Sequence, residues 1–165
     1  MLWHGSNTFV EGQLIPHKSF HYKPYVYATS DSIYALVRAG KFDIDNFALK
    51  EDYDGRVYTL IELKENAIEE VFDTDGYIYV VDESSFSHIE GCIPNEFVST
   101  EPCKIIDTLH ISNILDNIKH YSNYYKIIRY GSDEEKEYWK TVHGGKEGYL
   151  QRRKERIEKL RGKNV

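Results

Sequence analysis

Short apolar stretches that are rich in aromatic and β-branched residues recur along the first two thirds of the chain and predict a β-sheet. The first predicted strand runs from about Leu2 to Gly5, and the second is YVYAT at residues 25–29. Two more strands, RVYTLIELK and GYIYVVDES, follow the turn-forming segments DYDG and DTDG. NEFVS and CKIIDTLHI, separated by Pro102, complete the set.

Helical spacing of apolar residues begins directly after the second strand. SDSIYALVRAG places its isoleucine, leucine and valine on one face. Thr29 or Ser30 can cap this helix, Asp31 suits its first turn, and Gly40 suits its end. Later, SNILDNIKHY predicts a short helix capped by Ser112 or Asn113.

The C-terminal segment has a different composition. SDEEKEYW contains Ser132 and Glu135, which have the spacing of a capping box. The glycine-rich HGGKEG predicts a flexible joint, and the following YLQRRKERIEKLRGK is polar on most faces. We expect a solvated helix packed lightly on the domain, and the alternative is a basic arm that touches a nucleic acid or an acidic partner.

The order of these elements predicts an α+β fold, because regular strand–helix alternation is absent. We expect one domain at residues 1–130 and a charged helical extension at residues 131–165. The stretch EGQLIPHKSFHYKP, which contains two prolines and two histidines, is predicted to be a loop.

Composition narrows the range of functions. The net charge of -6 argues against tight, nonspecific binding to a phosphate backbone. The 14 tyrosines suit a ligand or nucleic-acid surface, although a coding bias towards Tyr, Lys, Ile and Asn explains them equally well. No stretch is apolar and long enough for a membrane span and no signal peptide precedes the first strand, so we expect a cytoplasmic protein.

Cysteine and histidine positions give no metal prediction. Cys92 and Cys103 have neither a zinc-binding spacing nor the pattern of a disulfide framework, and the histidines are not spaced for zinc. We therefore expect no bound metal and interpret the cysteines as passive, reduced thiols.

Three short motifs contain candidate chemistry: WHGS at the end of the first strand, YVYATSD between the second strand and its helix, and PNEFVS at a late strand. Each motif alone is ordinary, because a histidine, a tyrosine or a glutamate in a strand more often has a structural role. In this order, however, they resemble the ADP-ribosyltransferase superfamily, and in particular its poly(ADP-ribose) polymerase-like, His-Tyr-Glu branch. The matching residues are His4-Gly5-Ser6, Tyr27 and Glu96, and the resemblance covers roughly residues 2–118.

The resemblance implies a split antiparallel β-sheet core with short flanking helices, which holds NAD as a substrate in a cleft between strands. It also implies an NAD-binding set of His4, Gly5, Ser6, Tyr27 and Tyr34, and a catalytic set of Glu96, His4 and Tyr27. His4 and Gly5 would contact the ribose and the carboxamide, while Tyr27 and Tyr34 would contact the nicotinamide ring. Glu96 would stabilise the positive charge that develops on the ribose as the bond to nicotinamide breaks.

The acceptor of ADP-ribose is left open among protein, nucleic acid, a small molecule and water. Pro94 lies two residues before Glu96, where arginine-modifying members have Glu or Gln, so arginine is not the expected acceptor. RNA 2′-phosphotransferases share the fold and use NAD, but only Arg38, His17 and His21 are nearby candidates for holding a phosphate. The chain could also be a noncatalytic nucleotide- or ADP-ribose-binding module, or an unrelated α+β domain.

Overall fold

The computed structural model describes residues 1–18, 23–41, 45–52, 54 and 56–163. Within these ranges the α+β prediction is confirmed, with ten strands and five helices, and most strand pairs are antiparallel. The strands are β1 Leu2–Ser6, β2 Gln13–Leu14, β3 His17–Lys18, β4 Pro24–Thr29, β5 Phe47–Asp52, β6 Val57–Glu62, β7 Gly76–Val81, β8 Glu96–Ser99, β9 Cys103–Ile111 and β10 Tyr125–Ile128. The helices are α1 Ser32–Arg38, α2 Ala67–Phe72, α3 Ile114–His120, α4 Asp133–Lys140 and α5 Gly145–Lys163.

The strands form two sheets. The larger sheet has the order β2-β9-β7-β1-β4-β3, and β8 pairs with β4. The smaller sheet has the order β10-β6-β5, in which β10 runs parallel to β6 and β5 runs antiparallel to it. The main apolar core lies beneath α1, α2 and α3 and includes the fully buried rings of Tyr58 and Phe72.

Several elements differ from the sequence-based expectation. The stretch predicted to be a loop contains β2 and β3, each of which is two residues long and pairs with its neighbour at two positions. Strand β5 and helix α2 were not predicted, because FALKED has charged residues in its second half and AIEEVF is too short to show helical spacing. Strand β10, YKII, was also not predicted.

Two of the predicted helix caps agree with the structure and one does not. Helix α1 is capped by Asp31, whose carboxylate accepts a hydrogen bond from the backbone N–H of Ile33 at 2.9 Å, and not by Thr29 or Ser30. Asn113 caps α3 as expected, and Ser132 caps α4. The capping box at α4 is incomplete, because the carboxylate of its glutamate accepts from Gly131.

The C-terminal helices pack on the smaller sheet. Trp139 of α4 is 8% exposed and contacts a cluster formed by Ala48, Ile61 and Ile128. Helix α5 is mostly exposed, with Leu160 buried on its inner side. Among the helices that the structure describes, none combines the length and the apolar character needed to cross a bilayer.

Helix α1 lies directly against β1 at Gly5. A Cβ atom at this position would come within 2.1 Å of the carbonyl oxygen of Ala35 and 2.7 Å of the backbone nitrogen of Ala39. Because both neighbours are backbone atoms of one helix, no side-chain rotation can relieve such a clash. The absence of a side chain at Gly5 therefore sets the distance between α1 and the sheet.

We predict that Gly5→Ala lowers the free energy of unfolding by about 3 kcal/mol or more, because α1 must move away from β1. The matched control is Gly162→Ala in α5, where, among the described residues and apart from the adjoining backbone of the helix, no atom lies within 4 Å of the added methyl group. This control should be neutral or stabilising by up to about 1 kcal/mol, because alanine favours the helix. Urea unfolding measures both, and equal stability of the two variants would contradict this account of Gly5.

Candidate functional site

The larger sheet opens between β1 and β4. Over the described residues of these two strands they pair at one position, Trp3 with Thr29, whereas β1 pairs with β7 along its whole length. At its beginning, β4 instead pairs with β3 through Tyr25 and His17. The backbone of β4 around Tyr27 therefore lies beside a gap in the sheet.

The side chain of His4 crosses this gap. Its Nδ1 lies 2.6 Å from the carbonyl oxygen of Tyr27. A carbonyl oxygen can only accept a hydrogen bond, so Nδ1 has the proton and Nε2 of the neutral ring keeps a lone pair. The ring of Tyr79, on the neighbouring strand, lies 6.2 Å from the imidazole, and its hydroxyl donates to the carbonyl of Thr8 at 2.9 Å.

Burial is the main cause of a lowered pKa at His4. The hydrogen bond to Tyr27 opposes this effect, and the positive charges of Arg38 and His17 add to it. The pKa therefore lies below its ordinary value of 6.5, and the ring is neutral at pH 7. A neutral imidazole with a fixed tautomer presents a defined acceptor, Nε2, to a ligand.

All five residues of the expected NAD-binding set and the expected catalytic Glu96 line one cleft, which has a volume of about 180 Å³ and is partly open to solvent. They come from β1, β4, α1 and β8, so distant parts of the chain converge there. Arg38, His17 and Asn7 also line this cleft. His21, the other candidate for holding a phosphate, lies outside the described residues.

The two tyrosines contribute differently to the cleft. Tyr27 is partly exposed, and its ring meets that of Tyr25 edge-on at 6.0 Å. Tyr34 is only 4% exposed, and its ring lies 5.4 Å from that of Tyr58 in the core. Tyr27 therefore offers the more accessible ring surface, whereas Tyr34 forms part of the floor.

Glu96 begins β8 and lies opposite Thr29 of β4. Its backbone is fixed at both ends, because its N–H donates to the carbonyl of Ile93 at 3.0 Å and its carbonyl accepts from Nδ1 of His88 at 2.9 Å. Burial, together with the nearby Glu96 carboxylate, raises the pKa of the Cys92 thiol to about 12. The thiol is therefore protonated beside the Glu96 carboxylate.

A hydrogen-bonded network supports this arrangement from below. The carboxylate of Asp31 accepts from Arg56 at 2.6 Å and from the hydroxyl of Tyr58 at 2.5 Å. Asn95 donates from its side-chain Nδ2 to the same hydroxyl at 2.9 Å. The backbone carbonyl of Asn95 accepts a hydrogen bond from the backbone N–H of Ser30. The network thus connects the beginning of α1 to the residue that precedes β8.

The charges in this network reinforce each other. Burial opposes ionisation of Asp31, but the hydrogen bonds from Arg56 and Tyr58 outweigh it and hold the pKa of Asp31 below its usual range. Burial and the Asp31 carboxylate raise the pKa of Tyr58. The tyrosine therefore keeps its proton for Asp31, and Asn95 must present its amide N–H to the hydroxyl.

No protein-family model, curated protein or solved structure matches this chain. The resemblance to ADP-ribosyltransferases therefore depends on the three motifs and on the cleft that their residues line. Sequence reasoning did not include Asp31, Tyr58 or Cys92 among the site residues. Only the position of Cys92, four residues before Glu96, offered a signal in the sequence.

We predict that His4 makes the stability of the fold depend on pH. Above pH 6.5, the ordinary pKa of the group, the folded and unfolded chains both hold a neutral ring and its contribution is complete. Below that pH the unfolded chain binds the proton first, so the free energy of unfolding falls as the pH decreases towards the lowered folded pKa. His4→Asn should remove this dependence while its amide still donates to Tyr27.

Urea unfolding of both proteins between about pH 5 and pH 8 measures the difference, since this range spans the titration of histidine. His120→Asn, at an exposed position of α3, is the matched control and should retain the pH dependence of the wild type. Identical pH profiles of the wild type and His4→Asn would contradict the prediction.

We also predict that Tyr58→Phe lowers the free energy of unfolding by about 1–3 kcal/mol, because Asp31 and Asn95 each lose a buried partner. Tyr121→Phe is the control, since that side chain is 45% exposed, and its stability should change by no more than about 0.5 kcal/mol. Thermal or urea unfolding gives both values. The role of the network would be refuted if the two variants were equally stable.

Proposed function

We propose that this protein is an NAD-dependent ADP-ribosyltransferase, which cleaves the bond between nicotinamide and ribose and transfers ADP-ribose to an acceptor. The observation that carries this proposal is the convergence of His4, Tyr27 and Glu96 on one cleft from three different strands. Each has a side chain whose chemistry suits one part of NAD.

Tyr27 provides the recognition of the nicotinamide ring in this proposal. Its partly exposed ring borders the cleft, and stacking on a flat aromatic ligand is worth about 0.5–1.5 kcal/mol beyond the area it buries. His4 adds a hydrogen-bond acceptor at Nε2, which a ribose hydroxyl can use as a partner. The imidazole is held in place before a ligand binds, because it is already hydrogen-bonded to the backbone carbonyl of Tyr27.

Glu96 provides the catalytic charge. When the bond between the ribose and nicotinamide breaks, the electron pair leaves with the nicotinamide nitrogen and positive charge develops on the ribose ring. A carboxylate facing that carbon stabilises the charge more in the transition state than in bound NAD, which is the condition for raising the rate. The acceptor then forms a bond to the same carbon and loses its proton.

A second candidate, RNA 2′-phosphotransfer, is favoured by one observation. Arg38 and His17 line the same cleft as His4, as a site for a phosphate group requires. Glu96 lines it as well, and its charge would repel a phosphate that came close to it. An NAD-dependent transferase could use both the basic residues and Glu96, because NAD contains phosphates and a cationic nicotinamide ring.

The test is nicotinamide release from labelled NAD by the purified protein, with cell lysate as a source of acceptors. We predict that Glu96→Gln lowers the rate by at least about 100-fold, which corresponds to roughly 2.7 kcal/mol of lost transition-state stabilisation. Glu101→Gln is the matched control, because Glu101 is an exposed carboxylate in the turn after β8. Its rate should stay within about twofold of the wild type.

Two outcomes would overturn the proposal. No release by the wild type, with NAD or ADP-ribose still raising the melting temperature, would favour a noncatalytic binding module. Removal of the 2′-phosphate from an RNA substrate with NAD as the phosphate acceptor, and no transfer of ADP-ribose to lysate components, would favour the phosphotransferase.

A further inference from the structure

Helix α5 reaches the turn that leads into β8. Nη2 of Arg156 donates a hydrogen bond at 3.1 Å to the backbone carbonyl of Gly91. Gly91 has a φ of 93°, in the left-handed region that favours glycine, so the chain turns sharply at the residue that Arg156 contacts. We call residues 88–95 the Glu96 turn, because they lead directly to Glu96. The C-terminal helix therefore contacts the segment that sets the position of the proposed catalytic carboxylate.

The Glu96 turn is bonded to more than one part of the fold. At its end, the backbone N–H of Glu96 donates to the carbonyl of Ile93 at 3.0 Å, which closes the last residues of the turn on themselves. The amide of Asn95 donates to the hydroxyl of Tyr58 at 2.9 Å and so connects the turn to β6. Arg156 connects it to α5. The backbone that leads into Glu96 is therefore held by the smaller sheet and by the C-terminal helix together.

A second carboxylate lies on the face of the smaller sheet that contacts the Glu96 turn. Glu51 of β5 pairs directly with Tyr58 of β6, and paired residues on antiparallel strands have their side chains on the same face. Tyr58 is bonded to Asn95, so this face is the one that meets the turn. Burial raises the pKa of the Glu51 carboxyl, and the charge of Glu96 raises it further. The two carboxylates therefore repel each other.

The charge of Arg156 acts on the same groups as the charge of Glu96, with the opposite sign. At Glu51, burial is the largest cause of the raised pKa, and the guanidinium of Arg156 opposes it. At Cys92, burial again raises the pKa most, Glu96 adds to the increase and Arg156 reduces it. A cation that acts on both neighbours of Glu96 offsets part of the repulsion between Glu96 and Glu51.

We propose that Arg156 is a positioning residue for Glu96: it holds the Glu96 turn through the carbonyl of Gly91 and offsets the charge of Glu51. This inference rests on the proposed function for the role of Glu96 in the reaction. It makes α5 necessary for the rate of the reaction, although none of the described residues of this helix lines the cleft. The charged C-terminal extension is then a working part of the enzyme.

The experiment measures the steady-state rate of nicotinamide release from labelled NAD at varied NAD concentration. The proteins are the wild type, Arg156→Gln, Arg156→Lys, Glu51→Gln and the double variant Arg156→Gln/Glu51→Gln. Lys154→Gln is the matched control, because it removes the same charge from an exposed position of the same helix. Circular dichroism and melting temperature establish that each variant is folded.

We expect Arg156→Gln to lower kcat by about tenfold to 100-fold, which is typical of a misplaced catalytic group, and to change KM for NAD by less than about threefold. Arg156→Lys should recover part of the rate, because it restores the charge without the planar guanidinium. The double variant should also be faster than Arg156→Gln, because Glu51→Gln removes the repulsion that Arg156 offsets. Lys154→Gln should stay within about twofold of the wild type in both parameters.

Hydrogen exchange measured by NMR without any ligand gives a second readout. The backbone amide of Glu96, which is bonded to the carbonyl of Ile93, should exchange about tenfold faster in Arg156→Gln than in the wild type, because the turn opens more often. Lys154→Gln should match the wild type. Unchanged exchange at Glu96 in folded Arg156→Gln would overturn the inference, and so would a loss of rate that Glu51→Gln does not relieve.

The inference and the proposed function can fail separately. Faster exchange at Glu96 in Arg156→Gln, without nicotinamide release by the wild type, would support the role of Arg156 in the turn and reject the transferase. Nicotinamide release that depends on Glu96 but is the same in Arg156→Gln as in the wild type would support the transferase and reject the positioning role.

Discussion

The hydrogen bond from His4 to the carbonyl oxygen of Tyr27 connects β1 and β4 at a point where these two strands no longer pair. Where β1 leaves β4, the carbonyl of Tyr27 faces the gap, and the imidazole supplies a hydrogen-bond donor there. An unpaired buried carbonyl costs about 1–3 kcal/mol of stability, and the hydrogen bond from His4 avoids this cost where β1 and β4 separate. The same bond fixes the tautomer of His4, and thereby connects the stability of the fold to the chemistry of the cleft.

The position of α1 is the second constraint, and two unrelated features set it. Gly5 lets the helix approach β1. Asp31 caps the helix and also accepts a hydrogen bond from the hydroxyl of Tyr58. Tyr58 in turn is bonded to Asn95, immediately before Glu96. The helix that positions Arg38 and the strand that positions Glu96 therefore share one buried network, which is how a site made of separate elements is held rigidly.

The sequence predicted most of the larger sheet, because β1, β4, β7, β8 and β9 have strong strand composition. The cleft-lining residues His4, Tyr27 and Glu96 could be selected only through a resemblance, since no spacing along the chain shows that distant strands meet. The second sheet escaped prediction in part, because β5 and β10 are short or charged. Gly5 shows the limit most clearly: its missing side chain was expected to serve the ligand, whereas in the structure it makes room for α1.

The position of Glu96 in the cleft is the physical argument for proposing catalysis and not binding alone. A module that only held ADP-ribose would gain from Arg38 and from Tyr27, which both line the cleft, but a carboxylate in the same cleft would repel the phosphates and weaken binding. That carboxylate helps a ligand only where positive charge is present, on the nicotinamide ring of NAD and then on the ribose as the bond breaks. Because charge on the ribose carbon exists only near the transition state, Glu96 would contribute most there in the proposed reaction.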